Sequence, residues 1–546
     1  MIKKILDDLK IDLYEILKSL GVNEDVEIFF EVPQDTNFGD FSTNIAMRLA
    51  KTLRKSPVMI AKDIISRIDV AKNHIIKVDV AGAGFINFFF DRKFLSEVIF
   101  EVLKEKENFG NIKISDEKVN IEFVSANPTG YLHIAHGRGA SYGDSLSRIL
   151  KKSGYNVTKE HYVNDGGNQI NNLGFSIQQR YFELFGRDAK MEDGYYHGKE
   201  IIEIAKMIKE EVGDKYLDND GYEYFRQRGM DYLLQGLKDD LKDFNVEFDV
   251  WFSEKSLYDN GEVEKTLNQL IKDNHTYELD GAIWLKTTDY NDEKDRVLVK
   301  SDKSLTYLTP DIAYHKNKLS RGYDQLIDVL GADHHGYINR LKAAIACVGG
   351  NPDKVHIEIL QMVRVIQDGV EVKMSKRSGK SITLRDIMDE VGSDAIRYMY
   401  SAKALSTPMD LDLDLALRQT NENPVYYVQY AYARIASLFR MLKEKNIEFK
   451  EVSSFTNINL EKCDKIIMTL LQYPLVIEEA ALKRLPHKIA QYAYSLASAL
   501  HSYYNDEKII TENSLETNEK LTMMKAVQIV LKDSLNLLGV NVKEKM

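Results

Sequence analysis

Two histidines, His133 and His136, stand three residues apart at the start of a predicted helix, shortly after an Asn-Pro-Thr-Gly turn. Residues at this spacing lie on one face of a helical turn, and the first turn of a helix offers free N–H groups and positive potential to an anion. The pattern predicts a site that stabilises negative charge developing on a phosphate. A lone His-x-x-His pair is more often a surface coincidence, so the interpretation depends on the turn and helix around it.

A basic segment is the second candidate. Residues 373–385 contain no acidic side chain, and their basic members are Lys373, Lys376, Arg377, Lys380 and Arg385. Lysine, serine and glycine together are typical of a phosphate-binding loop, and a solvated basic loop is the alternative. A P-loop is excluded, because that motif requires glycine at the position of Met374.

The run Asp333, His334 and His335 directly follows a predicted strand. It suits either a metal site or a contact to a ribose or substrate at the end of a strand. A metal would need further ligands, and no second cluster stands at a suitable spacing, so the substrate contact is favoured.

Three single carboxylates, Glu122, Glu254 and Asp311, are scattered over the middle of the chain. Single carboxylates are usually solvated surface groups. If these three converge in one pocket, they select a cationic ligand, and above all a guanidinium, because it is planar and bonds in a bidentate manner.

The elements that must position these residues read as a βαβ unit. Alternating apolar residues predict a strand at 119–124, helical periodicity covers 134–152, and a second strand reads at 156–163. The crossover should be right-handed, with a ligand at the end of the first strand, facing the helix N-terminus.

The remaining segments complete three predicted domains, 1–112, 113–410 and 411–546. The first is a small α+β domain, with helices at 2–20 and 44–50 and a bent strand region at 80–90. The second is α/β, with a charged helical insertion at about 170–245 and strands at 326–330 and 355–365. Everything after about 400 reads as helical, and a stripe there predicts core packing: Ile489, Tyr492, Leu496, Leu500 and Tyr503.

Composition excludes several classes of protein. The chain has 546 residues, 44% apolar and 29% charged, which indicates a globular, multidomain protein. A net charge of -11 argues against a wholly basic nucleic-acid binder and leaves room for a local basic contact such as 373–385. Two cysteines are too few for a disulfide framework, acidic residues come too early for a signal peptide, and no apolar run is long enough to span a membrane. We therefore expect a cytoplasmic location.

Residues 123–137 (FVSANPTGYLHIAHG) resemble the HIGH region of class I aminoacyl-tRNA synthetases, and residues 373–377 (KMSKR) resemble their KMSKS loop. The order and wide separation of the two motifs match that class. Other segments resemble the arginyl-tRNA synthetases in particular: 38–44 (FGDFSTN), 163–169 (VNDGGNQ), 248–258 (FDVWFSEKSLY), 331–337 (GADHHGY) and 537–540 (LLGV).

The resemblance implies a fold and a reaction. The fold is a Rossmann-type catalytic domain with a helical insertion, an N-terminal domain that contacts the tRNA elbow, and an all-α anticodon-binding bundle. Arginine and ATP give arginyl-adenylate and pyrophosphate in a step that requires tRNA, and the arginyl group then passes to the tRNA. The expected partners are tRNA, L-arginine and ATP with Mg²⁺, the expected state is a monomer, and no membrane is involved.

The resemblance also implies residue roles. The catalytic residues would be His133, His136, Lys373 and Lys376. The ATP contacts would be His133, His136, Gly137, Gly331, Asp333, Lys373, Met374, Ser375 and Lys376. The arginine contacts would be Glu122, Ser125, Asn127, Glu254, Tyr307, Asp311 and His334. The HIGH motif usually has glycine where this chain has Ala135, for which we expect a small adjustment of ATP binding.

Two alternatives remain. A nucleotidyl transferase with the same histidine motif would adenylate a small acid without tRNA, but it would leave the chain length and the helical C-terminal part unexplained. A non-enzymatic tRNA-binding protein is the other. The intact His133, His136, Lys373 and Lys376 argue against it.

Overall fold

The structure is a computed structural model that describes residues 1–22, 26–33, 35–372 and 382–546. The predicted loop residues Lys373, Met374, Ser375 and Lys376 therefore lie outside the described residues. Within the described ranges, no helix is long and apolar enough to cross a membrane.

The N-terminal part is a small α+β unit, whose long first helix buries an apolar stripe at helical spacing that includes Leu9 and Leu13. Its elements are α1 (Ile2–Ser19), β1 (Phe41–Thr43), α2 (Ile45–Arg48), α3 (Ala50–Leu53), α4 (Pro57–Ile65), β2 (Ile75–Ala81), β3 (Phe85–Phe90), α5 (Arg92–Leu95) and α6 (Glu97–Glu105). The helix expected at 44–50 is thus two short helices. The region 80–90 holds the end of β2, a turn and β3, which pair in an antiparallel hairpin.

The middle part of the chain, the predicted domain 113–410, begins with the predicted βαβ unit. Its elements up to the second small sheet are β4 (Lys118–Glu122), α7 (Ile134–Lys152), β5 (Asn156–Val163), α8 (Gly167–Glu183), α9 (Lys199–Val212), α10 (Tyr222–Asp243), β6 (Val250–Ser253), α11 (Glu254–Asp259), α12 (Glu262–Lys272), β7 (Thr276–Leu279), β8 (Ala282–Leu285) and β9 (Arg296–Val299). Helices α8 to α10 form the predicted insertion, and they enclose a core of their own around Tyr181 and Phe225. The predictions of helix at 134–152 and strand at 156–163 are confirmed.

The second half of this part returns to the main sheet. Its elements are α13 (Leu308–Ser320), β10 (Gln325–Gly331), α14 (Ile338–Cys347), β11 (Val355–Leu360), β12 (Val363–Gln367), β13 (Val370–Glu371), α15 (Leu384–Val391), α16 (Ser393–Ser401), β14 (Met409–Asp412) and α17 (Leu413–Leu417). The prediction of one strand at 355–365 is wrong, because β11 and β12 belong to different sheets. The prediction that everything after 400 is helical is also wrong, because β14 pairs in parallel with β12.

The main sheet is parallel, in the order β11-β10-β4-β5-β6. Strand β4 lies at its centre, with β5 on one side and β10 on the other. From β4 the chain first adds β5 and β6 on one side of the sheet. It later adds β10 and β11 on the other side of β4, so the direction of winding reverses between β4 and β10. Ligands of such sheets bind at this reversal, beyond the carboxyl ends of the strands.

The C-terminal part is a bundle of α18 (Pro424–Glu444), α19 (Asp464–Leu482), α20 (His487–Asp506) and α21 (Ser514–Leu537). The predicted stripe of α20 is buried, so its core role is confirmed. The bundle also contacts the N-terminal part, through Arg92 and Asp464 (2.6 Å) and through Lys3 and Glu478 (2.6 Å).

A fully buried arginine connects the bundle to the middle part of the chain through hydrogen bonds. The Arg397 guanidinium donates to Asp144 Oδ2 of α7 (2.7 Å), to the Phe244 carbonyl after α10 (2.9 Å) and to the Leu538 carbonyl after α21 (2.9 Å). A Cβ on Gly539 would lie 2.1 Å from Arg397 Nη2, so the chain can close over the guanidinium only with glycine at this position.

Candidate active site

A strained turn ends β4 at the reversal point. The Ser125 N–H donates to the Phe123 carbonyl (3.0 Å) across Val124, whose φ is 69°, and Ser125 itself has φ 38°. Left-handed backbone is costly for a β-branched residue, and such strain concentrates at functional sites. This turn explains why the strand stops at Glu122 and not at residue 124, as the alternating pattern predicted.

The turn fixes the side chain of Ser125 between two strands. Its hydroxyl donates to Glu122 Oε1 (2.8 Å) and accepts the Tyr162 N–H of β5 (3.1 Å). The strain is thereby offset by two hydrogen bonds, and the Glu122 carboxylate is held at the end of its strand.

The two histidines stand together at the N-terminus of α7. Their rings stack with centroids 3.7 Å apart, and His136 Nδ1 accepts the backbone N–H of His133 (3.3 Å). Burial lowers the pKa of both rings. The pKa of His136 falls to about 3, because the neighbouring His133 and His161 lower it further. A neutral ring that accepts at Nδ1 carries its proton on Nε2, so His136 retains one N–H to donate.

The segment that follows the undescribed residues 373–381 lies against these histidines. Thr383 forms a β-bridge with His133, and the Leu384 N–H donates to the Leu132 carbonyl (2.7 Å). Gly137 faces the buried Leu384: a Cβ there would lie 2.6 Å from Leu384 Cδ1. The structure thus gives Gly137 a packing role that is separate from the predicted contact to ATP.

A cavity of about 540 Å³ opens over the ends of the strands. The predicted residues in its lining are Glu122, Glu254, Tyr307, Asp311, Asp333 and His334. Tyr307 is 82% exposed and stands at the rim. The scattered carboxylates therefore do converge.

The other described residues of the predicted set lie outside this lining. Ser125 reaches the cavity through Glu122, as described above. Asn127 is exposed and donates to Gln169 Oε1 (2.8 Å). Gly331 ends β10, and Ala135 is half-buried in the first turn of α7.

Glu254 is positioned by a carboxylate that the sequence assigned no role. Asp165 Oδ2 accepts the hydroxyl of Ser253 (2.6 Å), and its Oδ1 accepts the backbone N–H of Lys255 (2.8 Å). The residue between them, Glu254, is therefore fixed as the first residue of α11. Burial raises the pKa of Glu254, while a hydrogen bond from Tyr162 opposes the rise.

Behind Asp311 lies a buried ionic group that the sequence prediction missed. His315 faces Asp311 Oδ1 (3.1 Å) and Asp328 Oδ2 (2.9 Å), and Lys318 donates to Asp328 Oδ1 (2.8 Å) and to Glu122. The Tyr337 hydroxyl donates to the other oxygen of Asp311. The spacing 311, 315 and 318 on one helical face was the available signal.

The basic segment 373–385, predicted as a local contact to nucleic acid, is engaged at its described end. Arg385 donates to Asp240 (2.7 Å) and Asp243 (2.8 Å) at the end of the insertion, so its charge is locally compensated.

Family models match three successive parts of the chain. They are the arginyl tRNA synthetase N terminal domain over residues 4–90, the tRNA synthetases class I (R) catalytic domain over 98–407, and the DALR anticodon binding domain over 428–546.

Relatives match along the whole chain. Arginine–tRNA ligases of Bacillus licheniformis and Bacillus subtilis are each 47% identical, covering 100% of this chain and 100% and 99% of their own. The Thermus thermophilus arginyl-tRNA synthetase structure has the same fold, with a TM-score of 0.76 and 20% identity over 99% of this chain and 100% of that one.

Proposed function

The chain belongs to the arginyl-tRNA synthetase family and is an arginine–tRNA ligase, and from this premise we propose how the site divides the reaction. Arginine and ATP first form arginyl-adenylate with release of pyrophosphate. The arginyl group then passes to the terminal ribose of the tRNA. The requirement for tRNA in the first step rests on the family resemblance.

The observation that carries this proposal is the convergence of carboxylates in one cavity. Glu254 from α11 and Asp311 from α13 line it together with Glu122 from β4. A guanidinium is matched by carboxylates because it can donate two parallel N–H bonds to each. An uncharged analogue such as citrulline would leave buried carboxylates unpaired, so the site should reject it without an editing step.

The histidine pair is assigned to the triphosphate of ATP, which enters with Mg²⁺ as part of the substrate. The His136 Nε2–H and the free N–H groups of the first turn of α7 would donate to the phosphate under attack by the arginine carboxylate. Lys373 and Lys376 would neutralise the leaving pyrophosphate. No covalent enzyme intermediate is needed, because positioning and charge stabilisation lower the barrier.

The outer domains are assigned to tRNA. We expect residues 1–112 to contact the elbow and residues 411–546 to bind the anticodon, with Tyr426 and Tyr430 as candidates for base stacking. Their rings are nearly parallel, with centroids 5.9 Å apart. A monomer in the cytoplasm is the expected state of the enzyme.

Isotope exchange between pyrophosphate and ATP tests the two-step scheme. Each amino acid is offered to the enzyme with and without tRNA. Exchange with arginine, and only when tRNA is present, is the expected result. Exchange with a different amino acid, or with arginine in the absence of tRNA, would contradict the specificity or the tRNA requirement respectively.

The variant Asp311→Asn tests the pocket. It should raise the KM for arginine by roughly 10- to 150-fold, the loss of one hydrogen bond to a charged group, and leave the KM for ATP near its original value. The exposed Asp353→Asn is the control. An unchanged KM for arginine would remove Asp311 from the pocket.

A further inference from the structure

Five ionisable side chains of alternating charge form a continuous series of ion pairs at the cavity, the chain of charges: Glu122, Lys318, Asp328, His315 and Asp311. The carboxylates at its two ends, Glu122 and Asp311, line the cavity, and His315 and Asp328 also border it. The three middle groups are enclosed, with exposed fractions of 0% for Lys318, 2% for Asp328 and 3% for His315. Buried charges are retained only when they are paired, and here each is paired with its neighbours.

The geometry requires His315 to be doubly protonated. Its Nε2 faces Asp328 Oδ2 at 2.9 Å, and its Nδ1 faces Asp311 Oδ1 at 3.1 Å and the Asp311 carbonyl at 2.9 Å. A neutral imidazole has one N–H, so one of its nitrogen lone pairs would point at a carboxylate. Only the imidazolium satisfies both sides.

The charged groups around His315 come from several elements. Helix α13 supplies Asp311, one turn before His315, and Lys318, one turn after it, while β10 supplies Asp328 and β4 supplies Glu122. Burial opposes the imidazolium, but Asp311 and Asp328 raise the pKa of His315 to about 10. The ring therefore keeps both protons through the neutral range.

This contact leaves the Asp311 carboxylate in one orientation. Its Oδ1 is held by His315 and its Oδ2 by the Tyr337 hydroxyl. Each oxygen keeps a further acceptor direction. With both oxygens fixed, the carboxylate presents a planar pair of acceptors towards the cavity.

We propose that His315 is a positioning residue for substrate selection, which orients Asp311 to receive the planar, two-pronged guanidinium of arginine in preference to a single ammonium group. The inference rests on the proposed role of the cavity as the arginine pocket. Lys318 holds Asp328 and Glu122 without the help of His315, so loss of the imidazole leaves the remainder of the chain of charges in place.

The variant His315→Gln tests the inference in aminoacylation by the full chain. A glutamine amide is neutral and carries both of its N–H groups on one nitrogen, so it cannot replace the two opposed N–H groups of the imidazolium that face Asp311 and Asp328. The KM for arginine should rise about tenfold, which corresponds to a loss of about 1.4 kcal/mol of binding free energy. The KM for ATP and the kcat at saturating arginine should stay within about twofold of wild type, a much smaller free-energy change. The control His275→Gln, which removes a histidine ring that lies tilted against Tyr290 with centroids 5.9 Å apart, should change none of these values.

A second variant, Asp328→Asn, distinguishes positioning from a structural role. Removing this carboxylate lowers the pKa of His315, so the ring loses a proton as the pH rises. The KM for arginine of Asp328→Asn should then increase between pH 7 and 9, while that of wild type stays flat.

The outcomes separate the inference from the proposal on which it rests. If wild type uses arginine and both variants lower thermal stability with an unchanged KM for arginine at every pH, His315 is a structural residue and the inference is overturned. If wild type shows no arginine-dependent exchange, the proposed function fails first.

Discussion

Replacing Gly137 by alanine separates two explanations for that glycine. A Cβ at this position would lie 2.6 Å from Leu384 Cδ1 and 3.3 Å from Tyr400 Cε2, whereas ordinary contact begins at 3.4 Å. Leu384 is fully buried, and its backbone is bonded to the Leu132 carbonyl, so it cannot swing into solvent. The added methyl must therefore displace the segment that follows the residues 373–381.

The expected free-energy change is small, and the kinetic change is large. Alanine in a helix gains about 1 kcal/mol over glycine, and one overpacked methyl costs about 1–3 kcal/mol. The net loss of stability is then about 0–2 kcal/mol. Displacement of Leu384 also moves Thr383, which bridges to His133, and misplacement near 1 Å can lower turnover about a hundredfold.

Steady-state aminoacylation and thermal melting test this in three variants. Gly137→Ala should lower kcat strongly and the melting temperature slightly. Adding Leu384→Val, which shortens the opposing side chain, should restore most of the kcat. The matched control is Gly139→Ala in the same helix, where a Cβ would lie 3.8 Å from Leu360 Cδ2. A raised KM for ATP that Leu384→Val does not repair would refute the packing explanation and assign Gly137 to the nucleotide.

Three further predictions concern charge. Lowering the pH from 8 towards 5 should raise the KM for arginine, because burial raises the pKa of Glu254 and the pocket needs its ionised form; a flat pH profile of kcat/KM contradicts this. Lys376→Ala should lower kcat roughly a hundredfold or more, the scale of one lost transition-state donor, and unchanged turnover would show that the loop lies elsewhere. Arg397→Leu should destabilise the protein, because it leaves the buried carbonyls of Phe244 and Leu538 without a donor, at about 1–3 kcal/mol for each, while Asp144 keeps Arg148 and Lys159; an unaltered melting temperature would contradict this role of Arg397.

Local periodicity predicted some elements to the residue. Helix α7 and strand β5 have the expected bounds, because each carries one strong pattern between clear turns. Strand β4 ends early because Val124 adopts a left-handed backbone, whereas a β-branched residue favours extended structure. The break between β11 and β12 could not be predicted either, because neither Gln361 nor Met362 is a residue that favours turns.

The site was predicted less from physics than from resemblance. The residue types suggested that Glu122, Glu254 and Asp311 would bind a cation if they converged. Nothing local indicates that residues so far apart in sequence share one cavity. His315 and Lys318 were overlooked, although they share a helical face with Asp311. Their partner Asp328 comes from a different strand, and only the fold brings it there.

The contacts of Arg397 also set an order of events during synthesis of the chain. Asp144 and Phe244 leave the ribosome before it, whereas Leu538 follows 141 residues later. At a translation rate of about 5–20 residues per second, the wait is roughly 7–28 s. Until then the guanidinium stays uncovered on one side, and the helix that carries both histidines lacks its last support. An unfinished chain therefore cannot hold the active site in its final form.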